Sequence, residues 1–295
     1  MLYRKNHFKR RLPLVGILLL LLIGISIFMY PIVNDWINQY TSKVEINSYD
    51  QQVIKTDKKL LEKIEKEAED YNVALAEKDK KKVSVTNYSE LLAIADSIAY
   101  IEIPKIGVYL PVFHGLSDDV LSKGIGHMEG TSLPLGGNGT HCVLAGHTGL
   151  PAAELFTDLD QLSKGDSFFI HVLDKVLEYQ VDKITVVLPY QTDDIAIQKG
   201  KDYVTLLTCT PYGINDHRLL VRGKRIVHHP ETTIDNTDPW PVVHISEKQL
   251  PLRTIVWYVS TAVIGVVLLV IFIILIFPDK KRKKKVTVPN DSSVK

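Results

Sequence analysis

Two stretches of this chain carry no charge at all. Residues 12–34 (LPLVGILLLLLIGISIFMYPIVN) and residues 254–277 (TIVWYVSTAVIGVVLLVIFIILIF) are each long enough to cross a bilayer. No run between them is apolar enough for a further span. Within residues 50–82, Leu60, Leu61, Ile64, Ala68, Tyr71 and Leu75 recur at spacings of three and four, which predicts an amphipathic helix. Residues 83–99 continue with a weaker apolar pattern and no clear strand.

From Tyr100 the period changes. YIEIPKIGVYLPVFHG alternates as strands do, with Pro104 and Pro111 suited to turns or sheet edges rather than a central strand. Residues 123–139 are a Gly-rich connection. THCVLA (140–145) reads as a buried strand ending at Gly146-His147-Thr148-Gly149. Residues 151–162 (PAAELFTDLDQL) predict one short helix with Pro151 in its first turn. SFFIHVL and VLEYQVDKITVVLP predict a hairpin around Asp174-Lys175.

Residues 189–202 form a polar link into an uncharged, β-branched run, Tyr203–Thr208, which ends at Cys209. Pro211, Gly213 and Asn215 then mark a turn, and a last strand runs from His217 to about Val227. Many short strands, few helices and frequent Gly/Pro turns predict a mainly β fold, a closed or nearly closed barrel. No internal repeat stands out. The implied organisation is a basic N-terminus (1–11), a first transmembrane helix (12–34), a membrane-proximal helical segment (35–99), a β-barrel (100–228), a linker (229–253), a second transmembrane helix (254–277) and a basic tail (278–295).

The formal net charge over 295 residues is only +1, but the charges are segregated. Arg4, Lys5, Lys9, Arg10 and Arg11 precede the first apolar run, and six basic residues, Lys280 to Lys285, follow the second. Basic flanks stay cytoplasmic, so both termini are expected inside and residues 35–253 outside. A cleaved signal peptide would have a shorter apolar core and a small-residue cleavage site after it. A basic tail that abuts a span is topological, so no nucleic-acid partner is expected. Two cysteines, Cys142 and Cys209, make no disulfide framework for an outer region of this size.

The candidate chemistry sits where strands end. Cys209 leaves the sheet, and Arg218 returns on the next strand, an arrangement suited to a nucleophile beside a cation that stabilises an oxyanion. A thiol with the ordinary pKa of about 8.5 is only a few per cent thiolate at neutral pH, so catalysis needs a base or nearby cations. His147, which follows a buried strand and lies between two glycines, can be that base. The chain has ten histidines, and His114, His127, His141 and His217 compete for the role. The plain alternative is a small apolar cysteine at a strand end. With no CxxC, no GxSxG, no GxxxxGK[ST] and no GxGxxG between a strand and a helix, neither a zinc site, a serine hydrolase nor a nucleotide site is expected.

LAGHTGL followed by TLLTCTPYGINDHRLLVRGKR resembles the sortase family. YIEIPKIGVYLPVFHG, GIGHMEGTSLPLGG and ELFTDLDQL narrow the resemblance to its class C, the pilus-assembling sortases, across roughly Tyr100–Val227. The resemblance implies an eight-stranded β-barrel with Cys209 as nucleophile, His147 as general acid/base, Arg218 as the oxyanion or substrate-positioning group, and Thr208 beside the substrate or structural. It implies cleavage of an LPXTG-like sorting signal between Thr and Gly, a thioester, and transfer to a pilin lysine, with no cofactor. Pilin subunits and the membrane are the implied partners. One departure is visible. The Asp-Pro-aromatic lid motif usual upstream of the barrel is missing from residues 83–99, whereas Asp238-Pro239-Trp240 occurs downstream.

Three other readings make different products. A housekeeping-type sortase would pass the acyl group to a cell-wall amine. A secreted cysteine protease would release free acid. A tethered binding module on the same barrel would have an inert Cys209.

Overall fold

The computed structural model describes residues 5–149 and 154–226, with residue 265 besides. Three helices precede the barrel: α1 (Lys5–Lys55), α2 (Lys58–Ala76) and α3 (Lys80–Val85). Asp57 caps α2, its carboxylate accepting from the Lys59 amide at 2.8 Å. The expected stripe is the face α2 buries, with Ala68 and Tyr71 inside and Leu61, Ile64 and Leu75 against the core; Leu60 instead faces solvent. Asn72, on the same face, clamps the Gly-rich connection by exchanging hydrogen bonds with the backbone of Leu133 at 2.7 and 3.1 Å.

The strands are β1 (Ala99–Ile103), β2 (Val108–His114), β3 (Ile125–His127), β4 (Thr140–Ala145), β5 (Ser167–Val172), β6 (Lys175–Val187), β7 (Asp202–Thr210) and β8 (His217–Arg225). They close into a barrel in the order β1-β2-β3-β4-β7-β8-β6-β5, so the expected eight-stranded closed barrel is what forms. β5 alternates, with Phe168, Ile170 and Val172 inside. β4 and β7 run parallel and are buried nearly throughout, which is why they read as unbroken apolar runs.

Two local expectations are corrected. Residues 154–162 form turns and a single 3-10 turn, Leu159–Gln161, not an α-helix; Pro151 and its neighbours 150–153 lie outside the described residues. Leu155, Phe156, Leu159 and Leu162 are all buried, so their helix-like spacing serves a tight loop folded onto the core. The Gly-rich connection contains β3, whose three residues join β2 to β4. Residues 83–99 hold the end of α3 and a 3-10 turn at Tyr88–Glu90. As for the prolines, Pro104 opens a 3-10 turn, and Pro111 stands in β2 just before its pairing with β3 begins.

Among the described residues no helix is long and apolar enough to cross a membrane. The side chains of residues 5–19, which include residues 12–19 of the first apolar run, lie outside that description, as do the linker, the basic tail and all of the second apolar run but residue 265.

Candidate active site

β4, β7 and β8 are consecutive around the barrel, and their ends define one mouth. β4 and β7 are in register from Thr140↔Asp202 to Ala145↔Leu207. The register is extended one step by Gly146, whose amide donates to the Leu207 carbonyl at 3.0 Å. The Thr208 hydroxyl then donates to the Gly146 carbonyl at 2.8 Å. Both backbone groups of Gly146 are thus tied to β7, and His147 is the next residue.

His147 is half-buried, and its loop is fixed on its other side too. Its carbonyl accepts from the Phe156 amide at 3.1 Å, and the Gly149 amide donates to the Thr157 hydroxyl at 3.1 Å. Gly149 has φ of +69°, and a Cβ there would stand 2.7 Å from the exposed ring of Tyr212. The loop bearing His147 and the turn after Cys209 are therefore in contact.

On the opposite side of β7, Cys209 is the cross-strand partner of Arg218. Directly paired residues of antiparallel strands carry side chains on the same face, with Cβ atoms about 5 Å apart. The turn between them is compact. Pro211 accepts at its carbonyl from the amides of Ile214 (3.1 Å) and Asn215 (2.9 Å). Nη1 of Arg218 donates to the carbonyls of Asn215 (3.0 Å) and His217 (2.9 Å), which orients the guanidinium plane. Register and hydrogen bonding thus bring Cys209, Arg218 and the His147 loop to adjoining positions at one barrel end. Thr208 is only 3 % exposed, and its hydroxyl is committed to holding Gly146.

The competing histidines are otherwise engaged. His141 is fully buried, with Nδ1 against the Ala196 carbonyl at 3.0 Å and Nε2 against the Thr205 hydroxyl at 2.7 Å. His127 is also fully buried between the Tyr88 hydroxyl (2.7 Å) and the Ser132 carbonyl (2.9 Å), and burial lowers its pKa to about 4. The His114 ring meets Tyr88 edge-on, with a centroid separation of 4.7 Å. His217 reaches the mouth but is paired with Asp216 at 2.7 Å. Both cysteines are free; burial pushes the Cys142 thiol well up, whereas Cys209 is partly exposed.

Among the described residues no cluster of His, Cys, Asp or Glu could hold a metal ion. Residues 83–98, the part of 83–99 that precedes β1, dock away from the mouth. Tyr88 donates to the His127 carbonyl and accepts from the Gly115 amide, and Leu91 and Leu92 are buried. Asp238-Pro239-Trp240 lies outside the described residues. What sequence reasoning missed is the bracing: Thr208 on Gly146, Tyr212 on Gly149, and Asp35 of α1, whose carboxylate accepts from the Glu154 amide at 3.2 Å.

The chain is similar to several known proteins. The family model described as "Sortase domain" matches residues 101–226. A solved structure of sortase C from Streptococcus pneumoniae is 46 % identical, with a TM-score of 0.57, over 62 % of this chain and 96 % of that one. Sortase C1 of Streptococcus agalactiae is 41 % identical, with a TM-score of 0.59, over 65 % of this chain and 98 % of that one. Sortase A of S. agalactiae serotype III (strain NEM316) is 28 % identical over 198 residues, 66 % of this chain and 76 % of its own length.

Proposed function

This chain belongs to the sortase family of cysteine transpeptidases, and from that premise we propose that it is a membrane-anchored, pilus-assembling enzyme of class C. The observation that carries the chemistry is the pairing of Cys209 with Arg218 at the open end of the barrel, beside a pinned His147 loop.

Cys209 Sγ attacks the carbonyl carbon of the Thr–Gly amide in an LPXTG-like sorting signal. Arg218, with Nη1 held by the turn, has Nε and Nη2 left to donate to the oxyanion that develops. Protonated His147 gives its proton to the departing glycine amine, and the C–N bond breaks to leave a thioester on Cys209. A pilin lysine amine then attacks that thioester. His147 takes up the amine's proton as the isopeptide bond forms and the Cys209 thiolate leaves. The thioester conserves the free energy of the cleaved amide, so the cycle needs no nucleotide. Thr208 serves as a positioning residue for His147, with no contact to substrate required.

Both apolar runs serve as anchors, placing the barrel outside the membrane of a Gram-positive cell and both termini inside. Sequence supports this through the basic flanks. The test of function is to incubate the enzyme with a sorting-signal peptide and a lysine-bearing pilin. An isopeptide-linked product supports the proposal. Free acid alone, or transfer only to a cell-wall amine, overturns the pilin assignment.

A further inference from the structure

α1 touches the barrel unit at separate places along its length. Near its middle, Asp35 accepts from the Glu154 amide, in the loop that follows His147, and Asn38 donates to the Ser122 carbonyl at 3.4 Å. Ser122 sits just ahead of β3, whose first residues pair with the last of β4. Both contacts are therefore at the mouth. Farther along, the Tyr49 hydroxyl donates to the Ile98 carbonyl and accepts from the Leu173 amide. Leu173 lies in the β5–β6 turn, and Ile98 just precedes β1. Both belong to the opposite pole, since β6 reaches the mouth only at its other end, where Val187 pairs with Arg218. From Asp35 to Tyr49 is about 21 Å of helix at 1.5 Å per residue, enough to run the length of the barrel.

The direction of α1 then decides which pole lies near a membrane. On the N-terminal side of Asp35 the helix is apolar, and Ile25, Ile27, Phe28, Tyr30 and Val33 are exposed. Side chains of this kind on a continuous helix require a nonpolar surrounding. The helix leaves the barrel at the mouth, and its lipid-compatible part begins within a turn of the contact with Glu154. The mouth carries matching side chains: Tyr190 beyond β6, and Tyr212 and Ile214 in the turn after Cys209, are the most exposed large apolar residues of the barrel, at 76 %, 71 % and 68 %. Tyrosine beside aliphatic side chains suits the headgroup boundary.

We infer that the catalytic mouth rests against the bilayer surface, with Tyr190, Tyr212 and Ile214 in contact with lipid and the β5–β6 turn pointing away. This rests on the reading of residues 12–34 as a membrane span. A mouth so placed favours peptide segments presented at the bilayer over those of freely diffusing proteins.

The test uses the full chain carrying Cys209→Ala, reconstituted in phosphatidylcholine–phosphatidylglycerol vesicles. A single added thiol, Ile214→Cys at the mouth or Asp174→Cys at the far pole, carries an environment-sensitive fluorophore, and lipids spin-labelled near the headgroup quench it. Tyr190→Cys reports on the same rim should the first variant misfold. Several-fold stronger quenching at the mouth than at position 174 is expected. Retention of the chain after alkaline carbonate with equal quenching at both poles overturns the orientation alone. Release by carbonate overturns the span, and the orientation with it. A mouth label that escapes lipid quenching and responds only to added sorting-signal peptide marks a peptide-binding rim, and the inference fails.

Discussion

The strand pair β4–β7 holds two cysteines in opposite circumstances. Cys142, in mid-strand opposite Val204, is 2 % exposed. Cys209, one residue from the end of β7, faces Arg218 and is partly open. The histidines divide in the same way: His141, at the start of β4, is sealed on both ring nitrogens, while His147 stands just past its end. Inside the β4–β7 ladder the polar side chains of His141 and Thr205 are consumed by structure. Reactivity is available only where the ladder stops, and there the backbone must be held by something other than the sheet. Thr208, Thr157 and Tyr212 do that holding.

The largest expected contrast is between the two thiols. Cys142 can meet an alkylating reagent only when the barrel opens, and with a stability of even about 5 kcal/mol that is fewer than about one molecule in 10³. Iodoacetamide at neutral pH should therefore modify Cys209 at least about 10³ times faster, read by peptide mass spectrometry. Comparable rates would erase the distinction between ladder middle and ladder end.

Next come the end-of-ladder side chains. His147→Ala and Arg218→Ala should each lower kcat/KM about 10²- to 10⁴-fold, as losses of a general acid or an oxyanion donor do. Their urea midpoints should stay close to wild type, the usual outcome for substitutions outside the core. Arg218→Lys should recover only part of the rate, because a point charge lacks the guanidinium fork. A large fall in stability with unchanged activity would reverse the assignment.

Mid-barrel histidines should govern acid stability instead. Burial depresses His127 to about 4, so the folded protein binds this proton less readily than the unfolded chain does. Its contribution is whole above about pH 6.5 and is lost as pH falls towards 4, by about 3 kcal/mol at the limit. His141, lowered chiefly by burial, acts in the same direction. Denaturant titrations at pH 7 and pH 4.5 should show His127→Gln with a shallower pH dependence than wild type. An identical slope would contradict it.

The smallest effect sharpens the boundary itself. Thr208→Val keeps the shape but removes the bond to Gly146, at a stability cost of about 1 kcal/mol. If Thr208 positions His147, kcat should fall with little change in KM, and Thr208→Ser should restore it. A change confined to KM would return Thr208 to the substrate.

Much of the barrel was legible because its strands are long enough to show their period. Tyr203–Thr208 and Thr140–Ala145 read as buried strands for the reason they are buried, each sandwiched between neighbours in the sheet. β3 was not legible: three residues among glycines have no period, and only pairing with β2 and β4 defines them. The loop 154–162 misled because Leu155, Phe156, Leu159 and Leu162 have helical spacing yet turn into the core without a helix. At the site, Cys209 and Arg218 could be found from strand ends and the turn between them. The contacts of Gly146, Gly149 and Glu154 join residues up to 119 positions apart, and no local pattern announces them.

The most direct measurement is the mass of the enzyme caught during turnover. Quenched in acid after brief exposure to a sorting-signal peptide without an amine acceptor, the chain should gain the mass of the acyl fragment ending in threonine. The adduct should map to Cys209, be discharged by hydroxylamine, and be missing from Cys209→Ala. An adduct at another residue, or peptide cleavage that persists in Cys209→Ala, would contradict the account.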